Sequence, residues 1–208
     1  MNKGKAYANR RPKGNLSDLR ASDFYETPRS LIWELLKAAK DLDDVRTVLE
    51  PCCGNYAISS ELKKVFPVVV ERDLKYGNDF LEDEYEEQSF DAVITNPPFS
   101  AFDAIVNKAR YVAKKVYVIG KTNFLGAYSR YKSNFWNELK CIYVFDRQID
   151  YQFPVMDDGS CGVGCLVSGF YEWEKGYKGE PVIRFIDIQK YCKLGSYESF
   201  IKKQGENK

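Results

Sequence analysis

The sequence predicts an α/β fold: a mostly parallel, doubly wound seven-stranded sheet with helices on both faces and an antiparallel C-terminal hairpin. Three observations predict it. Strand-like and helix-like segments alternate over the first two-thirds of the chain, the order that builds parallel βαβ units. The strands are short runs of valine and isoleucine, as in strands covered on both faces. After about residue 145 the helical segments stop, and two strand-like runs meet across a glycine turn.

The 208 residues suit one domain, expected from 23 to 208 and preceded by a basic arm, 1–22, that shows neither period. Thr27 reads as a helix N-cap and Pro28 as the first helical residue. Leu31, Ile32, Leu35, Leu36 and Ala39 then share one face of a helix that runs to about Lys40. A strand spans Val45 to Glu50, a helix Tyr56 to Val65, and a nearly all-valine strand Pro67 to Glu71. The strand Phe90 to Thr95 stops at Asn96-Pro97-Pro98. A helix over Ala101 to Ala113, a strand over Lys115 to Gly120, a helix over Ala127 to Leu139 and a strand over Cys141 to Phe145 complete the alternation. Asp146 to Gly164 reads as a loop. Val163 to Trp173 and Val182 to Ile186 read as strands joined by a turn at Gly176 to Gly179, and a short helix follows Ser196.

Composition excludes several function classes. Apolar residues make up 44% and aromatics 15%, enough for a sizeable core. No apolar run approaches the roughly 18 residues that a membrane span needs. The polar, basic start is unlike a secretory leader, and six cysteines, two of them adjacent, do not form a disulfide framework, so a reducing cytoplasm is expected. Histidine is absent. That removes every imidazole base, leaves no case for a catalytic zinc, and makes Cys161 and Cys165 packing residues, with no metal expected.

Net charge is only +1, but its distribution is uneven. Basic residues crowd the arm and the stretch 107–147, while Glu82 to Asp91 is acidic without a basic neighbour. Such segregation makes one face positive for a polyanion, or else decorates a solvated surface.

The unusual residues fall at strand ends, where open α/β sheets bind ligands. Glu50-Pro51-Cys52-Cys53-Gly54 is a tight turn into a helix, and Glu71 follows Glu50 by 21 residues. That spacing suits a carboxylate accepting from both hydroxyls of a ribose; an ordinary turn with an acid downstream has it too. Asn96-Pro97-Pro98-Phe99 is sharper. Two prolines remove two donors and fix φ, which leaves carbonyls at a rigid corner, followed by a flat ring. The corner can hold an exocyclic amine between the Asn96 amide oxygen and the Pro97 carbonyl while Phe99 stacks on its ring; it can also simply end a strand.

Together these segments resemble the class I S-adenosylmethionine-dependent methyltransferases, specifically those acting on N6 of adenine in DNA, with the Rossmann-like methyltransferase fold. Leu49 to Gly54 is similar to the family's cofactor motif, which implies cofactor contacts at Glu50, Pro51, Cys52 and Gly54. Glu71 matches the ribose-binding acid. Gly77 to Leu81 resembles the segment whose Asp79 and Phe80 hold the cofactor's adenine. Asn96 to Phe99 matches the (Asp/Asn/Ser)-Pro-Pro-aromatic catalytic motif, with Asn96 also beside the cofactor. Tyr25, Glu26, Thr27 and Pro28 resemble the upstream motif, with Tyr25, Thr27 and Pro28 at the cofactor's methionine end. Lys121 to Gly126, with Arg130 and Tyr131, is similar to the equivalent region of small phage and prophage adenine methyltransferases. The resemblance covers residues 23 to 175.

Two departures stand out: Tyr56 replaces the family's second glycine, and the stretch from Glu71 to Asp79 is too short for the usual linking helix. The resemblance implies S-adenosyl-L-methionine as cofactor and a flipped-out or single-stranded adenine as target. Lys121, Arg130, Lys132 and Arg147 are the candidate phosphate contacts. Methylation of RNA bases, methylation of a protein glutamine, and a non-catalytic binding module are the alternatives. No large target-recognition domain fits the length, so the arm and the loop, with Arg147, Tyr151, Phe153 and Met156, are left to read a short or degenerate target.

Overall fold

A computed structural model describes residues 26–149 and 167–188. The arm 1–22, Tyr25, Tyr151, Phe153, Met156, Cys161, Cys165 and the helix after Ser196 lie outside the described residues. Among those described, no helix is long and apolar enough to cross a membrane.

The strands are β1 (Thr47–Glu50), β2 (Val68–Glu71), β3 (Phe90–Thr95), β4 (Ala113–Lys121), β5 (Leu139–Phe145), β6 (Ser168–Glu174) and β7 (Val182–Ile186). They form one seven-stranded sheet in the order β2-β1-β3-β4-β6-β5-β7. The helices are α1 (Arg29–Ala38), α2 (Ser59–Leu62), α3 (Phe102–Val112) and α4 (Tyr128–Lys132). β2, β1, β3 and β4 pair in parallel, and β6 runs antiparallel to both β4 and β5. Consecutive strands pair antiparallel at β5 with β6. The turn near Gly176 does not fold β7 back onto β6; it carries β7 past β5, to which it pairs in parallel.

Alternate residues of the strands face two cores. Val48, Ile94, Tyr117, Tyr143 and Phe170 pack with Leu31, Ile32 and Leu35 of α1 and with Leu62 of α2. Leu49, Val93, Val118 and Tyr171 pack with Phe102, Ile105, Val106 and Ala109 of α3. The period of two along each strand and the i, i+3, i+4 spacing on the helices produce this division. Gly120 marks a close approach: a Cβ there would sit 2.8 Å from the Phe102 ring. The first residue of α3 can therefore press onto the end of β4.

Three expectations change. β2 is an edge strand with Val68 exposed; among the described residues only a single turn, Leu74–Tyr76, stands between it and β3, where a covering helix would come. The helix expected over 127–139 shortens to α4, since Asn134 and Glu138 take positive φ (56° and 63°) and send Phe135 and Trp136 into the second core. The helix expected over 56–65 shrinks to α2, because Tyr56 itself has a φ of 64°.

Long-range pairing also alters the charge pattern. Lys114 bonds Asp91 at 3.2 Å and Lys175 bonds Glu87 at 3.2 Å, so the acidic run is partly neutralised from outside its own stretch. The carboxyl groups of Asp41, Glu172 and Glu174 lie within 4.8 Å of one another, but the Lys140 ammonium pairs with all three.

Candidate active site

Parallel neighbours end along one edge of a sheet, so the strand order aligns Glu71, Glu50, Asn96 and Lys121 in that sequence. This edge collects the predicted cofactor and catalytic residues.

At one end of it, Glu50 and Glu71 are register partners on β1 and β2. Glu50 is 1% exposed, and burial, reinforced by nearby Glu71 and Asp73, pushes its carboxyl up to about 8 despite the opposing pull of Ser59. Partial burial pushes Glu71 the same way, but the Lys63 ammonium 2.7 Å away and Ser59 outweigh it, holding that carboxyl below its usual range. The pair is thus split into a neutral acid and an anion. Glu50 Oε2 and Glu71 Oε1 are buried and have no hydrogen-bond partner among the described residues, and neither has Thr95 Oγ1 at the end of β3. Unsatisfied buried oxygens gathered at three strand ends are suited to a ligand rich in donors.

The glycine turn is held by the loop after β2. Pro51 and Cys53 are buried and Cys52 is half-buried as the chain leaves β1. The Cys53 amide donates to the Arg72 carbonyl at 3.0 Å, and the Gly54 amide donates to Asp73 Oδ2 at 2.8 Å. Tyr76 donates its hydroxyl to the Gly54 carbonyl at 2.9 Å. Gly54 has a φ of 50°. Tyr56 therefore keeps the left-handed backbone that favours glycine, and its ring turns outward to stack on Tyr76 at 5.4 Å and 11°. Tyr56 thereby clamps the turn to the loop after β2.

Asp79 is half-buried, and its Oδ1 accepts from the Leu81 amide at 3.0 Å, which shapes the turn it begins. Phe80 is 1% exposed in the second core, against Tyr85. Its ring anchors this turn.

Further along the edge is the Asn96 corner. Pro97 is buried, and Asn96, Pro98 and Phe99 are half-buried. The Pro98 carbonyl accepts from the Ala101 amide at 3.0 Å and closes the turn into α3. Thr27 does not cap α1. Its buried hydroxyl instead accepts from Asn96 Nδ2 at 3.0 Å, across 69 residues of sequence, and Pro28 occupies the capping position. The segment before α1 is thereby tied to the corner, a contact that no local pattern announces. Lys121 Nζ lies 4.4 Å above the Phe99 ring, and Phe124 meets that ring edge-on at 5.8 Å.

The expected basic face is largely spent on internal contacts. Arg130 bonds Asp103 at 2.7 Å and the Phe124 carbonyl at 3.0 Å, with its guanidinium 4.5 Å from the Phe124 ring. Arg110 bonds the carbonyls of Phe135 and Asn137 and the Glu138 carboxylate. Arg147 pairs with Asp146 at 3.0 Å. Arg130 thus braces residues 122–132. Lys132 is exposed, on the same short helix as Tyr128 and Tyr131.

No protein-family model matches this chain, and no curated protein does. Solved structures do. A protein from Pyrococcus horikoshii described as an RNA methyltransferase aligns with a TM-score of 0.54 at 18% identity, over 82% of this chain and 91% of its own. The methyltransferase subunit of a type I restriction-modification system from Streptococcus thermophilus aligns with a TM-score of 0.58 at 11% identity, over 88% of this chain and 53% of its own. A protein from Agrobacterium tumefaciens described as an O-methyltransferase aligns with a TM-score of 0.51 at 11% identity, over 82% and 90%. At these identities the property shared is the fold.

Proposed function

We propose that this chain, which has the Rossmann-like methyltransferase fold, is an S-adenosyl-L-methionine-dependent methyltransferase acting on N6 of adenine in DNA. The observation that carries the reading is the meeting, on one sheet edge, of the Glu50–Glu71 pair with its unsatisfied oxygens and the Asn96-Pro97-Pro98-Phe99 corner. The residues present fit the cofactor. Glu50 and Glu71 would accept from its hydroxyls, Asp79 would face its base, and Thr27 and Pro28 would line its methionine end. When bound, the cofactor supplies a methyl group already activated by positive sulfur.

The chain's own share is to prepare the amine. The lone pair of an aromatic exocyclic amine is delocalised into the ring, which makes it a poor nucleophile. Two acceptors, Asn96 Oδ1 and the Pro97 carbonyl, would hold its N–H bonds, favour a pyramidal nitrogen and stabilise the charge that grows there. Thr27 holds the other end of the Asn96 amide. Asn96 is neutral and takes no proton, so the proton leaves later to water. Phe99, fixed between Lys121 and Phe124, would stack on the base. Much of the rate gain then comes from alignment.

The test is transfer of a labelled methyl group to DNA, RNA and protein, with cofactor binding measured separately. DNA adenine is the expected acceptor. RNA is the second arm, since the Pyrococcus horikoshii protein of the same fold is described as an RNA methyltransferase. Asn96→Ala should lower turnover at least a hundredfold with cofactor affinity nearly unchanged. Glu71→Ala should weaken cofactor binding about ten- to a hundredfold, the loss of a charge-assisted pair of hydrogen bonds. Wild-type turnover in the first variant, or unaltered affinity in the second, would overturn the assignment.

A further inference from the structure

We infer that the outer face of residues 122–132 is a stacking platform for an unpaired DNA strand, which makes single-stranded DNA the substrate class of this site. The inference rests on the adenine reading above and adds the state of the strand.

Tyr128 and Tyr131 are 75% and 77% exposed. Three residues apart on α4, they lie on one side of it, about a turn from each other. Nothing in α4 is buried, so neither ring is there to fill a core. The segment is nonetheless firmly placed. Arg130 reaches beneath it to Asp103 and to the Phe124 carbonyl, and the Ala127 and Arg130 carbonyls accept from the Tyr131 and Phe135 amides. Phe124 in turn meets Phe99 edge-on. Two presented rings therefore stand on a braced support that leads directly to the ring expected to hold the target base.

Charge decides which strand such a surface fits. Duplex binding draws most of its affinity from neutralising several phosphates. Between residues 107 and 147, every basic side chain except Lys121 and Lys132 reaches an internal carboxylate or carbonyl in the described structure. Lys121 lies over Phe99. Two cations among exposed tyrosines make a poor duplex surface. They match the pattern by which unpaired bases are held, where ring faces are open to stack and each stack is worth roughly 5- to 150-fold in affinity. Bases within a duplex have those faces covered by their neighbours.

The experiment is fluorescence anisotropy with the full chain and its Tyr128→Ala/Tyr131→Ala double variant. The probes are a labelled adenine-containing DNA strand of about 12 nucleotides, its duplex and the same sequence in RNA, each at low and moderate salt. The DNA strand should bind at least tenfold more tightly than the duplex. The double variant should lose at least tenfold for the strand with the same dependence on salt, because rings and not charges are removed. Both tyrosines are exposed, so circular dichroism should match the wild type. Duplex binding as tight as that of the strand, an unaffected double variant, or a preference for RNA would each overturn the inference. Methyl transfer measured beside it separates the two readings. An enzyme that methylates duplex adenine efficiently refutes only the platform, whereas one that transfers to no adenine refutes the function itself.

Discussion

Glu50 and Glu71 are partners across β1 and β2 yet carry different charges at neutral pH. The consequence for stability has a definite sign. Folded Glu50 keeps its proton up to about 8, against an ordinary value of 4.5, so between those values the folded chain binds more protons than the unfolded one. The stability this contributes is full below about pH 4.5 and is lost as pH rises towards 8. Glu50→Gln leaves a neutral group of the same shape and removes that dependence. Relative to wild type, the variant should gain on the order of 2–4 kcal/mol between pH 5 and pH 8.5, read from urea unfolding of both proteins. Parallel pH profiles would mean that Glu50 is ionised in the folded chain.

At the scale of an element, the turn between β1 and α2 shows how a conformation survives the loss of its usual residue. Tyr56 takes a φ of 64°, which a side chain makes costly, and its stack on Tyr76 offsets the cost. Glycine would lose the stack and the strain together, whereas alanine would lose the stack alone. Tyr56→Gly should therefore unfold with an equilibrium constant roughly fivefold or more below that of Tyr56→Ala. Chemical denaturation of the two variants checks the order, and an alanine variant as stable as the glycine variant would show that the turn relaxes. The same clamp accounts for the absent linking helix. Asp73, Lys75 and Tyr76 hold the glycine turn from a single helical turn, in bonds to Gly54 and Asn55.

For the whole molecule, the basic residues are divided by task. Those within the described sheet and helices mostly brace loops, as Lys114 does at Asp91 and Arg130 at Asp103. The sequence carries a further excess of basic residues before residue 23, where Lys3, Lys5, Arg10, Arg11, Lys13 and Arg20 stand against Asp18. Deleting residues 1–20 should therefore flatten the salt dependence of DNA binding by the slope of several phosphate contacts, while cofactor affinity stays the same. Titrations at three salt concentrations measure this. An unchanged slope would place the phosphate contacts elsewhere. Val167 lies next to the end of β4 that carries Lys121, since the Thr122 amide donates to the Val167 carbonyl at 3.0 Å.

Sequence by itself determined the alternation of elements, the valine-rich strands and the Asn96 corner, because each rests on local rules: side-chain period, proline geometry and turn chemistry. It also determined that a glycine turn at Gly54 and an acid at Glu71 would end neighbouring strands. Pairings between distant segments were beyond its reach. Thr27 looks like a helix cap from its neighbours, and only the approach of β3 turns its hydroxyl to Asn96. Arg130 shows no acidic partner among its sequence neighbours until the fold sets Asp103 against it. Phe80 belongs to the second core, and its near neighbours in sequence do not announce that. β7 looks like the partner of β6 until β5 offers its open edge. A side chain's charge and hydrogen-bonding capacity are written in its own residue, but what it meets depends on contacts across the whole chain, and tertiary packing alone decides those.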